Sequence, residues 1–174
     1  MSAVAAPSRL ERVLDEAVAR GHTDIQILPW SPEWRDQALP IMHEMHKNSI
    51  FASLPLDEAK VIRQLAACGN LVPDRYFRIA VLHGEGLGAF YGHVQRSFFC
   101  DEILAHDMGW WVKKDARGSL AAPLLLRDFE QWAREKGARK VMVGQSTAIN
   151  IEATTKLFQA CGYRVTGYNT VKDI

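Results

Sequence analysis

The sequence predicts a single α/β domain with a central mixed, mostly antiparallel sheet, one parallel strand pair and flanking helices. Two observations predict it. Helical patterns come first, followed by three consecutive segments rich in β-branched and aromatic residues, the signature of an antiparallel meander. The last third then alternates strand, helix, strand, helix, strand, which demands a right-handed crossover. That crossover sets the strand ending at Val112 beside, and parallel to, the strand containing Val141.

The elements follow in order. "SRLERVLDEAVARG" has Ser8 as N-cap and sets Leu10, Val13, Leu14, Ala17 and Val18 on one stripe, ending at Gly21. Residues 1–23 are thus expected as an amino-terminal helical extension laid against the domain or a partner, which leaves a homodimer open. Residues 24–174 form the domain proper. "TDIQILPW" predicts a strand stopped by Pro29. From Ser31, Trp34, Ala38, Ile41, Met42 and Met45 share a helical face, with Pro32 tolerated in the first turn. Pro40, inside that stretch, predicts a kink or two short helices. A loop then leads to a helix with Asp57 and Glu58 near its start and Gly69 near its end.

"RYFRIAVL", "GLGAFYGHVQRSFF" and "EILAHDMGWWV" are the meander strands, separated by "HGEG" and "CD". A helix from Ala121 to about Lys136 turns Leu125, Phe129, Trp132 and Ala133 inward and ends at Gly137. "RKVMVG" is a strand and "NIEATTKLFQACG" a helix, and "YRVTGYNTV" is expected to close as one bent strand or two short ones.

With 174 residues the chain supports one substantial core and not two comfortable domains. Its 48% apolar and 24% charged residues are ordinary globular values, and a net charge of +1 gives no global attraction to nucleic acid or acidic membrane. Cys68, Cys100 and Cys161 are odd in number and form no CxxC pair, as expected of thiols in a reducing compartment. The first residues lack the pattern of a secretory signal and no apolar run approaches membrane length, so a cytoplasmic location is expected.

One stretch carries the chemistry. "WWVKKDARGSLAAPLLL", from Trp110, places Lys113, Lys114 and Arg117 and the flexible Gly118 directly before an apolar helix. A helix start offers unpaired N–H groups and the positive end of the dipole, and so can hold a phosphate. Ser119, Ala121 and Ala122 keep the mouth small, and Pro123 fits the first turn. A solvated strand–helix loop is the plain alternative.

The element order and the run "VKKDARGSLAA" resemble the GNAT family of acyl-coenzyme A-dependent N-acetyltransferases, whose loop reads V-x-x-x-x-R-G-x-G-x-G/A. The family's arginine falls on Arg117, its next glycine on Gly118 and its last small residue on Ala122, while its central glycine falls on Leu120, a departure whose side chain is expected to restrict the backbone and narrow the phosphate approach. The resemblance implies that amides from Gly118 through Ser119, Leu120 and Ala121 to Ala122, with Lys113 and Arg117, hold the pyrophosphate of acetyl-coenzyme A as co-substrate. "NIEATTKLFQACGY" adds Asn150, with Phe158 where the family usually has tyrosine. The match spans roughly residues 24 to 170.

The resemblance also implies that the strand before the loop splays from its parallel neighbour to admit pantetheine. Main-chain groups of Trp111 and Val112 would then face the thioester oxygen, and a carboxylate or histidine would act as base. Strand alternation sets Asp107, Gly109 and Trp111 on one face and His106, Met108 and Trp110 on the other, so Asp107 and His106 are alternative bases. The family tyrosine would protonate the departing thiolate, which Phe158 cannot do. The implied function is acetyl transfer to an amine, entering between the two amino-terminal helices and the carboxyl-terminal hairpin beside "HKNSIFASLP". The alternative is a weak or inactive relative that keeps the fold and the coenzyme. No metal is expected: "HEMH" from His43 has the wrong spacing for HExxH. The tryptophan pair lacks the basic stripe of a nucleic-acid platform, and no membrane partner is expected.

Overall fold

The structure, a computed structural model, describes residues 12, 14–16, 24–68, 72–147 and 149–172. Its elements are β1 (Gln26–Pro29), a 3-10 turn (Pro32–Trp34), α1 (Arg35–Lys47), α2 (Glu58–Ala67), β2 (Arg75–Leu82), β3 (Glu85–Arg96), β4 (Ile103–Val112), a 3-10 turn (Lys114–Ala116), α3 (Ala121–Glu135), β5 (Ala138–Met142) and α4 (Ile151–Ala160). The sheet runs β1-β2-β3-β4-β5, antiparallel throughout except for the parallel β4–β5 pair. This is the mixed sheet with flanking helices that the element order predicts.

Two cores hold the layers together. On one face, Ala38, Ile41 and Met42 of α1 and Leu65 of α2 pack on Phe77, Ile79, Ala89 and Trp111. On the other, Leu125, Leu126, Phe129 and Ala133 of α3 pack on Tyr76, Phe90, Val94 and Ala105, with Phe158 of α4 joining them. Phe129 stacks on Phe90 at 4.4 Å. A Cβ on Gly92 would lie 2.6 Å from the Phe129 ring, so only glycine lets α3 come this close to β3.

Local chemistry sets the ends. Asp57 caps α2, its carboxylate accepting from the Lys60 amide at 2.9 Å. His83 and Gly84 take positive φ of 51° and 83°, the conformation of a tight hairpin turn between β2 and β3. Pro29 ends β1 on the sheet edge, where a missing N–H costs no ladder bond.

Two expectations need correction. α1 is one continuous helix through Pro40; Pro40 is exposed, so the carbonyl it leaves unpaired, that of Asp36, can be hydrated on the outer face. Residues 163–172 form no strand: residues 164–172 are all exposed, so no apolar face holds them against the sheet. Of the amino-terminal extension, residues 12 and 14–16 are helical; Leu14 is buried and Asp15 meets Arg127 of α3 at 2.8 Å. The rest of its stripe, and Gly69, lie outside the described residues.

Candidate functional site

β4 outruns its parallel neighbour. Pairing with β5 stops at His106 and Met142, and from Asp107 to Val112 the β4 edge facing β5 has no strand partner among the described residues. The inner edge is fully used. Lys113 donates to Leu87 O at 2.8 Å, and the Trp111 carbonyl points at Gly88, only 2.5 Å from where a Cβ would stand. Antiparallel ladders alternate, so Trp111 is committed to Ala89 while the main-chain groups of Trp110 and Val112 turn to the open edge. Of the two residues expected to present main chain there, Val112 does so.

A bulge reorganises the same strand. Tyr91 lies opposite Gly109, but Gly92 lies opposite Asp107, which makes Met108 the extra residue. Plain alternation therefore fails: Asp107 shares its face with Gly92 under Phe129, whereas a Cβ on Gly109 would meet Met45 Sδ of α1 at 2.9 Å. Asp107 and Gly109 are on opposite faces, contrary to the sequence expectation. The extra residue shifts the phase by one.

Asp107 is aimed across the gap. Its Oδ1 accepts from the Gly144 amide at 2.9 Å. Burial pushes its carboxyl up to about 6, against the lowering effect of the Gly144 and its own amide hydrogen bonds. His106 is placed differently. It stacks on His93 at 5.5 Å and lies 3.3 Å from the Gln95 amide nitrogen, and burial, then the neighbouring His93, lower its pKa.

At the end of β4 the loop turns through a 3-10 turn into α3. Gly118 has φ +90°, which a side chain rarely tolerates. Ser119 Oγ accepts from the Ala121 amide at 3.2 Å and Leu124 N donates to Leu120 O. Among the described residues, the amides of Gly118, Leu120 and Ala122 have no such partner, and the N-cap residue Leu120 makes no side-chain cap. This open helix mouth fits a pyrophosphate. Leu120 has φ −75° and ψ −2°, ordinary helical values, so its Cβ strains nothing.

Arg117 folds back: its guanidinium lies 4.7 Å over the Trp111 ring and its Nε donates to Val112 O at 3.2 Å. Its terminal N–H groups stay available for an anion beside the loop. Lys113 Nζ is 3.7 Å from Glu85, a loose pair.

Phe158 is buried against Trp110, 5.4 Å between rings, and 5.8 Å from Tyr163. Burial first, then Glu130, push the Tyr163 hydroxyl's pKa up, so it stays protonated. Asn150 precedes α4 in the left-handed region with φ 50°, and its carbonyl accepts from Thr154 N. His43, of the "HEMH" run, meets Glu58 of α2 at 2.8 Å. Among the described residues, no group of three or more His, Cys, Asp or Glu could hold a metal ion.

Sequence reasoning missed Gly144 and Ser146. Gly144 N supplies the bond to Asp107, and Ser146 O accepts from Ile50 N at 2.8 Å, tying the α1–α2 loop to the β5–α4 loop. Both contacts are made by main chain, which leaves no side-chain signal; the glycine just past a strand was the one hint.

Solved structures share this fold. An acetyltransferase of Trypanosoma brucei is 17% identical, covering 87% of this chain and 100% of its own, with a TM-score of 0.66. A glucosamine-6-phosphate N-acetyltransferase from Arabidopsis thaliana is 11% identical over 87% and 99%, with a TM-score of 0.69. An aminoglycoside N-acetyltransferase in complex with CoA is 17% identical over 87% and 98%, with a TM-score of 0.63. No curated protein matches the sequence significantly. A family model described as the acetyltransferase (GNAT) family matches residues 22–163. Sheet order, open β4 edge and family match agree: the chain belongs to the acetyltransferase (GNAT) family.

Proposed function

We propose that this protein transfers the acetyl group of acetyl-coenzyme A to a primary amine, with Asp107 as base and the Val112 amide as the donor facing the carbonyl. One observation carries the reading. The unpaired edge of β4 lies between an open helix mouth at one end and a buried carboxylate at the other.

Acetyl-coenzyme A supplies an activated thioester. The chain supplies the rest. The amides of Gly118, Leu120 and Ala122 and the Arg117 guanidinium hold the pyrophosphate at the positive end of α3. Lys113 adds charge beside them, and Ser119 and Ala121 shape the turn through their mutual hydrogen bond. The Val112 N–H is fixed before reaction begins, so it stabilises negative charge on the carbonyl oxygen without reorganising. Asp107, held near neutrality by burial, takes the proton the amine must lose, directly or through one water.

Phe158 favours a second reading, a weak or inactive relative that retains the coenzyme. It has no proton to give, and losing a positioned acid costs typically about 10²–10⁴-fold. Free-thiol release measured over a broad panel of amines decides between them. Release that depends on amine supports the enzyme; acetyl-coenzyme A binding without release supports the second reading.

A further inference from the structure

Three segments enclose the opening beside Asp107. The α1–α2 loop reaches the β5–α4 loop through Ile50 N and Ser146 O, and the β5–α4 loop reaches β4 through Gly144 and Asp107. Met142 stands opposite His106 where the strands part, and Met108 is the bulged residue just beyond. Ile50, Phe51, Met108 and Met142 are 42%, 48%, 52% and 47% exposed, and none belongs to either core. These four exposed apolar residues all lie on the segments that the Ile50–Ser146 and Asp107–Gly144 contacts tie together.

Charge is scarce there. Residues 45–54, 104–109 and 142–151 contain one lysine, Lys47, and one carboxylate, Asp107. Of the flanking acids, Glu152 meets Lys156 at 2.7 Å, and Glu44 lines a cleft with Lys113 and Lys114. A polycation would bring several ammonium groups to a wall with one carboxylate, and an ammonium desolvated without a counter-charge is costly. An apolar body would instead cover exposed Ile, Phe and Met, whose sulfurs also favour aromatic rings.

We infer that the acceptor is a primary monoamine on an apolar body, and that Ile50, Phe51, Met108 and Met142 form the surface that receives that body. The inference rests on the acetyl-transfer reading and names the substrate class of the same site. The test is steady-state thiol release by the full chain with hexylamine and phenethylamine against spermidine, kanamycin and glucosamine 6-phosphate. The two apolar amines are expected to show kcat/KM at least about tenfold higher, the scale of discrimination an apolar pocket provides. Ile50→Asp and Phe51→Asp, in an exposed loop, should raise KM for phenethylamine about tenfold or more while KM for acetyl-coenzyme A is unchanged. Equal or better use of any of the three hydrophilic amines overturns this inference alone, as does an unchanged phenethylamine KM in both variants. Absence of thiol release with every amine overturns the acetyl-transfer reading and this inference together.

Discussion

Asp107 and Gly144 meet at 2.9 Å across the point where β4 and β5 part, carboxylate to main-chain amide. The last backbone pair of the two strands is His106 with Met142, so this side-chain contact is the next rung after the ladder ends. It holds the mouth of the opening while leaving the rest of the β4 edge free. A carboxylate used this way is both strut and titratable group, which makes it the first residue to test.

Asp107→Asn keeps an acceptor for Gly144 and removes the proposed base. The expected loss in kcat/KM is about 10²–10⁴-fold. In the wild type, kcat/KM should rise with pH through an apparent pKa near 6, because the base acts only when ionised. The variant should lose that limb in a pH–rate profile. The stability sign is opposite to that of a paired carboxylate. With the folded pKa raised, the native state binds more protons between about 4 and 6, so this group's contribution falls as pH rises through that window. Asp107→Asn should therefore raise the melting temperature at pH 7, and the gain should vanish below pH 4.

The helix mouth gives a binding prediction. Gly118 sits at φ +90°, and a side chain there is strained by roughly 1–2 kcal/mol before any steric block. Gly118→Trp and Arg117→Glu should each abolish or strongly weaken acetyl-coenzyme A binding in calorimetry, with circular dichroism unchanged. Wild-type protein that gives no heat and no thermal shift at millimolar ligand would refute the coenzyme site.

Phe158→Tyr tests the missing acid. Phe158 packs on Trp110 and Tyr163, within the core that borders the β4 strand. If the added hydroxyl reaches the leaving thiolate, kcat should rise while coenzyme binding changes little, the mark of a contact made mainly in the transition state. If it does not, turnover stays flat and a buried unpaired hydroxyl lowers stability by about 1–3 kcal/mol. Thiol-release kinetics and thermal melts of both proteins separate these outcomes. Clear wild-type turnover that the substitution leaves untouched refutes the placement of Phe158 at the thiolate.

Gly92→Ala probes the packing that holds β3 under α3. The new Cβ would stand 2.6 Å from the Phe129 ring and 2.9 Å from His106 O, and neither neighbour is the end of a flexible chain. Overpacking of this kind costs about 1–3 kcal/mol. A denaturant midpoint unchanged from wild type would contradict it.

The sequence by itself determined the element order from β1 to α4, the parallel pairing of the Val112 and Val141 strands and the glycine-containing loop that leads into α3. Each is written in local pattern: apolar spacing for α3, β-branched runs for the meander, and Gly118 before a helix of small residues. It also carried the absence of a hydroxyl at Phe158, because that is a matter of residue type. Tertiary structure alone decided where side chains point. The bulge at Met108 reversed the faces of Asp107 and Gly109, since one inserted residue shifts a period of two and no local composition marks it. Pro40 could stay inside α1 because its side of the helix faces water, which only the packing of Ala38, Ile41 and Met42 fixes. The Asp107–Gly144 and Ile50–Ser146 contacts join residues 37 and 96 positions apart; Gly144, Ile50 and Ser146 all use main-chain atoms, and a main-chain group has the same chemistry in every residue that could have stood there.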